Sequence, residues 1–179
     1  ERMGLAANEA GNLTMLLRLQ GKDTEVTMSN LIGTANAALE TSKTTATTKD
    51  IIKDIANTSK GLQASFAANP GALAKAAVAA RELGATLKEI EGIQKNLLDF
   101  ESSIGAELEA ELLTGKNLNL ERARQLALQG KSVEAAIEIR KQVGSAAEFG
   151  RMNVIQQEAV AAAAGMTVDQ LSDSLRKEE

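Results

Sequence analysis

The sequence has no cysteine, no histidine, no tryptophan and no tyrosine, and it contains a single proline. Without cysteine there are no disulfides, no thiolate catalysis and no zinc–thiolate site; an intracellular chain and an extracellular particle protein could equally lack it. The absence of both Cys and His also removes Ser-His-Asp and Cys-His nucleophilic pairs, histidine zinc sites and redox thiols. Three phenylalanines are the only aromatic residues among 179, so large rings are not available to fill a thick core. No apolar run approaches the ~20 residues of a membrane-spanning helix, and the most apolar stretch, Ala159 to Met166, is short and alanine-rich. A balance of 20 basic against 24 acidic residues leaves a net charge of -4, which does not suit a polyanion-binding surface. Glu1 rather than Met heads the chain, so a processed product or a fragment of something longer is expected, with any targeting segment outside it.

What is present is alanine, leucine and a regular apolar spacing. Alanine favours helix while burying little area, and a chain with one proline runs in long helices with close-packed small faces. Leu5, Leu13, Leu16, Leu17 and Leu19 predict a helix over residues 1–20, weakened at Gly4 and Gly11 and ended at Gly21. A second pattern, Met28, Leu31, Ala35, Leu39, Ile52, Ile55, Leu62 and Phe66, covers 24–68. Its middle, Thr41 to Thr48, reads TSKTTATT; threonine restricts its rotamers in a helix and offers competing hydrogen bonds, so a break, a polar layer or a surface loop is expected there.

Asn69-Pro70 marks the start of a new helix, since Asn caps free amides and proline suits the first helical position. From Pro70 to about Thr114 the positions Leu83, Leu87, Ile90, Ile93, Leu97, Phe100, Ile104, Leu108 and Leu112 recur every three or four residues, one stripe on one face. As a single helix this stretch would reach ~68 Å at ~1.5 Å per residue and would need a long neighbour. The expected neighbour is the 24–68 segment, folded back at Asn69-Pro70-Gly71 into an antiparallel hairpin, or another chain; continuation around a kink is the alternative. Ala76, Ala80 and Gly84 recur every four residues and predict a close helix crossing.

After Gly115 the texture changes to short helices: Asn119 to Gln129, Ser132 to Val143, Ser145 to Gly150, Asn153 to Ala164 and Thr167 to Lys177. Ser145 with Glu148, and Thr167 with Gln170, have capping-box spacing. Leu120, Leu126, Val133, Ile137, Val143, Phe149, Met152, Ile155, Met166, Val168, Leu171 and Leu175 are the expected small core, and a segment of this size is expected to dock on the long helices. The fold class is therefore all-α: long helices forming an antiparallel hairpin or coiled-coil stalk over 1–115, plus a small bundle of short helices over 116–179.

Catalytic constellations fare poorly. Glu107, Glu109 and Glu111 alternate around a helix and do not converge on one site, which favours a solvated face. Thr114-Gly115-Lys116 lacks the earlier glycine and the preceding strand of a phosphate loop, and reads as a helix C-cap followed by a lysine that suits the negative helix end. Residues 165–177 have the outline of part of a helix-turn-helix, but Asp169 and Asp173 oppose DNA. No cofactor, metal site or nucleic-acid contact is expected.

Two stretches, ELLTGKNLNLERARQLALQGK from Glu111 to Lys131 and KQVGSAAEFGRMNVIQQEAVAAAAGM from Lys141 to Met166, resemble a helical region of the tail tape-measure proteins of tailed bacteriophages. The resemblance covers roughly the last 70 residues; the first 110 match only in being helical and rich in alanine and threonine. It implies a non-enzymatic virion protein, assembled in the bacterial host cytoplasm, that occupies the tail lumen and helps to set tail length. Its implied partners are other copies of itself, tail tube or baseplate proteins. It carries over no functional residue. At 179 residues the chain is far shorter than a whole ruler, which suggests a folded segment of a larger protein. The interface expected from the residues is Leu83, Leu87, Ile90, Ile93, Leu97, Phe100, Ile104 and Leu108, as a seam within the chain or between copies. A bacterial coiled-coil signalling or scaffold module of chemoreceptor-like texture is the alternative, though its heptads would continue on both arms. A pore-forming bundle would need a longer apolar hairpin, and an enzyme comes last.

Overall fold

The computed structural model describes residues 5–19, 24–66 and 69–177, and among these it contains twelve α-helices and no strand. The expectations at Gly4, Gly21 and Ala68 lie outside the described residues. Two compact units are present: residues 1–82 with 86–88, and residues 83–85 with 89–179.

The first unit holds α1 (Ala7–Leu19), α2 (Thr24–Thr41), α3 (Thr48–Asn57), α4 (Lys60–Ser65) and α5 (Pro70–Glu82). Its core is Leu13, Leu16 and Leu17 of α1, Leu31 and Ala35 of α2, Ile51, Ile52 and Ile55 of α3, and Leu73, Ala74, Ala77 and Val78 of α5, all buried. The expected long helix over 24–68 is broken at the threonine-rich stretch. Helix α2 ends at Thr41, and Thr47 caps α3 in a full box with Asp50, whose carboxylate accepts the Thr47 amide at 2.8 Å. Threonine thus serves the chain better as a cap than as a helix interior residue. Asn69 accepts the Ala72 amide at 3.1 Å and Pro70 opens α5, as its missing amide permits.

Helices α2 and α5 pack together, but in parallel. A β-carbon at Gly71 would lie 3.3 Å from the Thr34 hydroxyl, while further along both helices the Lys43 amide donates to Glu82 at 3.0 Å. The antiparallel hairpin expected at Asn69-Pro70-Gly71 therefore does not form. The chain reverses at residues 42–47 into α3 and once more between α3 and α5, so α5 leaves Pro70 in the direction of α2. Helix α3 is fastened to α5 by Asp54, which accepts both Arg81 Nε at 2.6 Å and a terminal guanidinium nitrogen at 2.7 Å.

The second unit holds most of α6 (Leu87–Leu98), then α7 (Phe100–Thr114), α8 (Glu121–Leu128), α9 (Ser132–Val143), α10 (Ala146–Gly150), α11 (Val154–Ala163) and α12 (Val168–Arg176). Where one helix is expected from Pro70 to Thr114, three form. Gly84 leaves the helix in a left-handed conformation, φ +78°, which ends the Ala76–Ala80–Gly84 row, and a β-carbon there would lie 3.4 Å from Ser174 Cα of α12. The second break is at Asp99, whose carboxylate accepts the Ser102 amide at 3.4 Å and its hydroxyl at 2.8 Å and so begins α7 afresh. Asp99 lies off the apolar stripe, so the stripe's spacing passes over it unchanged.

Gly115, taken as a boundary from the sequence, is an internal turn of this unit: at φ +70° it caps α7, and its amide donates to Glu111 O at 2.8 Å. The short helices then follow nearly residue for residue as expected, with boxes at Ser145/Glu148 and Thr167/Gln170 and a further one at Asn153/Gln156. Leu120, Val133, Val143, Phe149, Leu171 and Leu175 are buried, Leu126, Ile137, Met152, Met166 and Val168 are half-buried, and Ile155, expected in the core, is exposed.

Candidate interaction surface

Helix α7, with its neighbours α8 and α11, carries most of the exposed large apolar side chains among the described residues of the second unit. Helix α11 runs antiparallel to α7: Gln156 Nε2 donates to Leu113 O at 2.9 Å, and beyond the other end of α11 a β-carbon at Gly165 would lie 3.0 Å from that of Asn96. The faces that meet are small. On α7 they are Ser103, Glu107 and Ala110, on α11 Ala159, Val160, Ala161 and Ala163. Small side chains let two backbones approach closely, so this face is packed inward in preference to the bulkier one.

Arg124 of α8 fixes the inward polar face. It is 6% exposed, and its guanidinium lies 2.6 Å from a Glu107 oxygen and 3.3 Å from the Ser103 hydroxyl. The other Glu107 oxygen accepts the Leu120 amide at 2.9 Å, and Glu111 accepts that of Leu118 at 2.8 Å. The solvated acidic face expected at Glu107, Glu109 and Glu111 is thus corrected: two of the three carboxylates hold the α7–α8 connection, and only Glu109 points into solvent. Periodicity carried no signal for Arg124 as their partner. At the far end of the connection Lys116 Nζ donates to Val143 O and Glu148, each at 3.2 Å. That lysine bond, followed by the Ser145 amide, holds the Glu148 carboxyl below its ordinary range.

The residues expected to form one seam divide. Leu83, Leu87, Ile90, Ile93 and Leu97 are buried, whereas Phe100 (45%), Ile104 (44%), Leu108 (60%) and Leu112 (85%) are exposed. The latter four recur every four residues on α7, so they form a continuous outward stripe beside the face that α11 and α8 cover. Val154 and Ile155, in the first turn of α11, are exposed as well.

Among the described residues no cluster of carboxylates is arranged to hold a metal ion, and no helix is long and apolar enough to cross a membrane. The α7 region offers buried charge pairing, helix caps and an exposed apolar row. No protein-family model, curated protein or solved structure matches this chain.

Proposed function

We propose that this chain is a non-enzymatic structural segment of a larger assembly, of the kind implied by its resemblance to phage tail tape-measure proteins, and that it meets protein partners through the outer face of α7. The observation that carries the reading is the exposed row Phe100, Ile104, Leu108 and Leu112, on a helix whose other face is shielded. A row of large apolar side chains at helical spacing marks a surface that is covered in the working state. The carboxylates nearest it that are buried, Glu107 above all, are occupied in holding helices together and are not poised over an open cleft.

The particle in which this segment works is the phage tail, and its partners are tail tube or baseplate proteins or further copies of the same protein. The ruler role also calls for an extended form, a hairpin or coiled-coil stalk. Only Asp99 separates α6 from α7, and apolar positions continue at three- and four-residue spacing across it, which supports a rod in the assembled state. Antibodies raised against the chain and applied to purified, tail-disrupted phage particles test the proposal. Labelling inside the tail is expected; absence from particles, with the protein found in the host membrane or cytosol, overturns it.

A further inference from the structure

The outer face of α7 carries charge of one sign. Between Lys95 and Lys116 there are five carboxylates, Asp99, Glu101, Glu107, Glu109 and Glu111, and no lysine or arginine. Successive helix residues lie ~100° apart, so Glu101 and Glu109, each one residue after a stripe position, fall on one side of the row. Glu107 and Glu111, each one residue before a stripe position, fall on the other. Glu101 and Glu109 are exposed and make no ion pair among the described residues. On the opposite flank Glu121 of α8 is 63% exposed at its side chain, 3.7 Å from Arg124. The stripe is an apolar ridge with exposed acid, Glu101 and Glu109, along one edge, while on the other Glu107 and Glu111 are engaged by Arg124 and by the Leu118 and Leu120 amides.

A second copy fits this ridge badly. Antiparallel two-fold pairing of α7 with itself sets Glu101 and Glu109 against their own copies along the exposed acidic edge, and like charges across an interface oppose the pairing. Area argues the same way. The stripe is only ~18 Å long, and with even aromatic side chains burying at most ~150–250 Å² each, two sets of four already partly covered residues fall short of the ~1,200 Å² at which stable interfaces begin.

We propose that the outer face of α7 docks a basic amphipathic helix of a partner protein, with apolar residues at three- and four-residue spacing and Lys or Arg along the edge that meets Glu101 and Glu109; this rests on α7 being the partner-facing helix. The apolar row supplies contact, and the acidic edge of Glu101 and Glu109 selects the partner's charge and sets its register. A partner helix held in place by a larger assembly does not need the area of a free dimer, since tethering raises its effective concentration.

Two synthetic helical peptides with the same leucine pattern, one with lysine and one with glutamate at the edges, are titrated into the full chain by fluorescence anisotropy. The lysine peptide is expected to bind about tenfold or more tightly than the glutamate peptide and to weaken as salt is raised. Ile104→Ser with Leu108→Ser abolishes binding, and Glu101→Lys with Glu109→Lys reverses the charge preference. All four positions are exposed, so the variants are expected to stay folded, which thermal melts check. Equal binding of both peptides overturns the basic partner while leaving α7 partner-facing. Binding of neither overturns the docking strip itself. A concentration-dependent dimer by light scattering, lost in Ile104→Ser, overturns the partner's identity in favour of a second copy. None of these outcomes bears on where the protein resides, which the particle labelling reads separately.

Discussion

Arg124 and Glu107 sit at the point where the second unit depends most on individual side chains. Both are buried, and Glu107 divides its oxygens between the guanidinium and the Leu120 amide. Arg124→Ala leaves a carboxylate buried without its counter-charge, which costs about 3–5 kcal/mol; replacing both residues by apolar ones of similar volume costs less. Urea unfolding of the two single variants and the double reads the coupling, and a double loss equal to the sum of the single losses would show that the pair is not coupled. Three other carboxylates respond to acid. Glu9 is held below its ordinary range first by Asn57 and then by the Ala6 amide, Asp50 by the Thr47 hydroxyl and amide, and Glu148 by Lys116 and the Ser145 amide. Each binds its proton more weakly folded than unfolded, so its contribution is complete above the ordinary carboxylate range, about pH 4, and is lost as the pH falls through that range and below it. The urea midpoint should therefore hold steady from neutral pH to about 5 and then decline, and Glu148→Gln should reduce the decline.

Helix boundaries in this chain are set within single turns. Thr47, Ser145, Asn153 and Thr167 each accept an amide three residues on and donate their own amide to that residue's side chain, which defines four starts by local chemistry alone. Thr167→Ala should cost about 1 kcal/mol, seen as a lower melting temperature with unchanged helicity below it. Gly115→Ala isolates the backbone term, because no atom lies within 4 Å of the added carbon while φ stays at +70°. A loss of about 1–2 kcal/mol is expected, and a neutral result would mean that α7 ends differently in solution. Because such signals are local, the five short helices after Gly115 were legible in the sequence. The breaks at Asp99 and Gly84 were not, since an apolar stripe reports only which side of a helix is greasy and continues across a cap that lies off it.

At the scale of the whole molecule, Leu97 and Ile104 belong to one pattern and to opposite environments. Leu97 is fully buried and Ile104 is 44% exposed. Leu97→Asp buries an unpaired charge and should abolish cooperative melting of the second unit, whereas Ile104→Asp should shift stability by no more than about 0.5 kcal/mol while removing partner binding. Circular dichroism melts of the two variants decide it; a single core seam would make both unfold. Residue order and spacing alone determined the all-helical class, the capped starts and the lack of histidine or cysteine chemistry, because each depends on composition or on groups within one helical turn. Tertiary structure decided that α2 and α5 run parallel, that Glu107 is buried against Arg124, and that half of the apolar stripe faces solvent. The reason is physical: a stripe is covered only where a neighbour can reach it, and on α7 the small faces of serine and alanine admitted α11 more closely than leucine and isoleucine could.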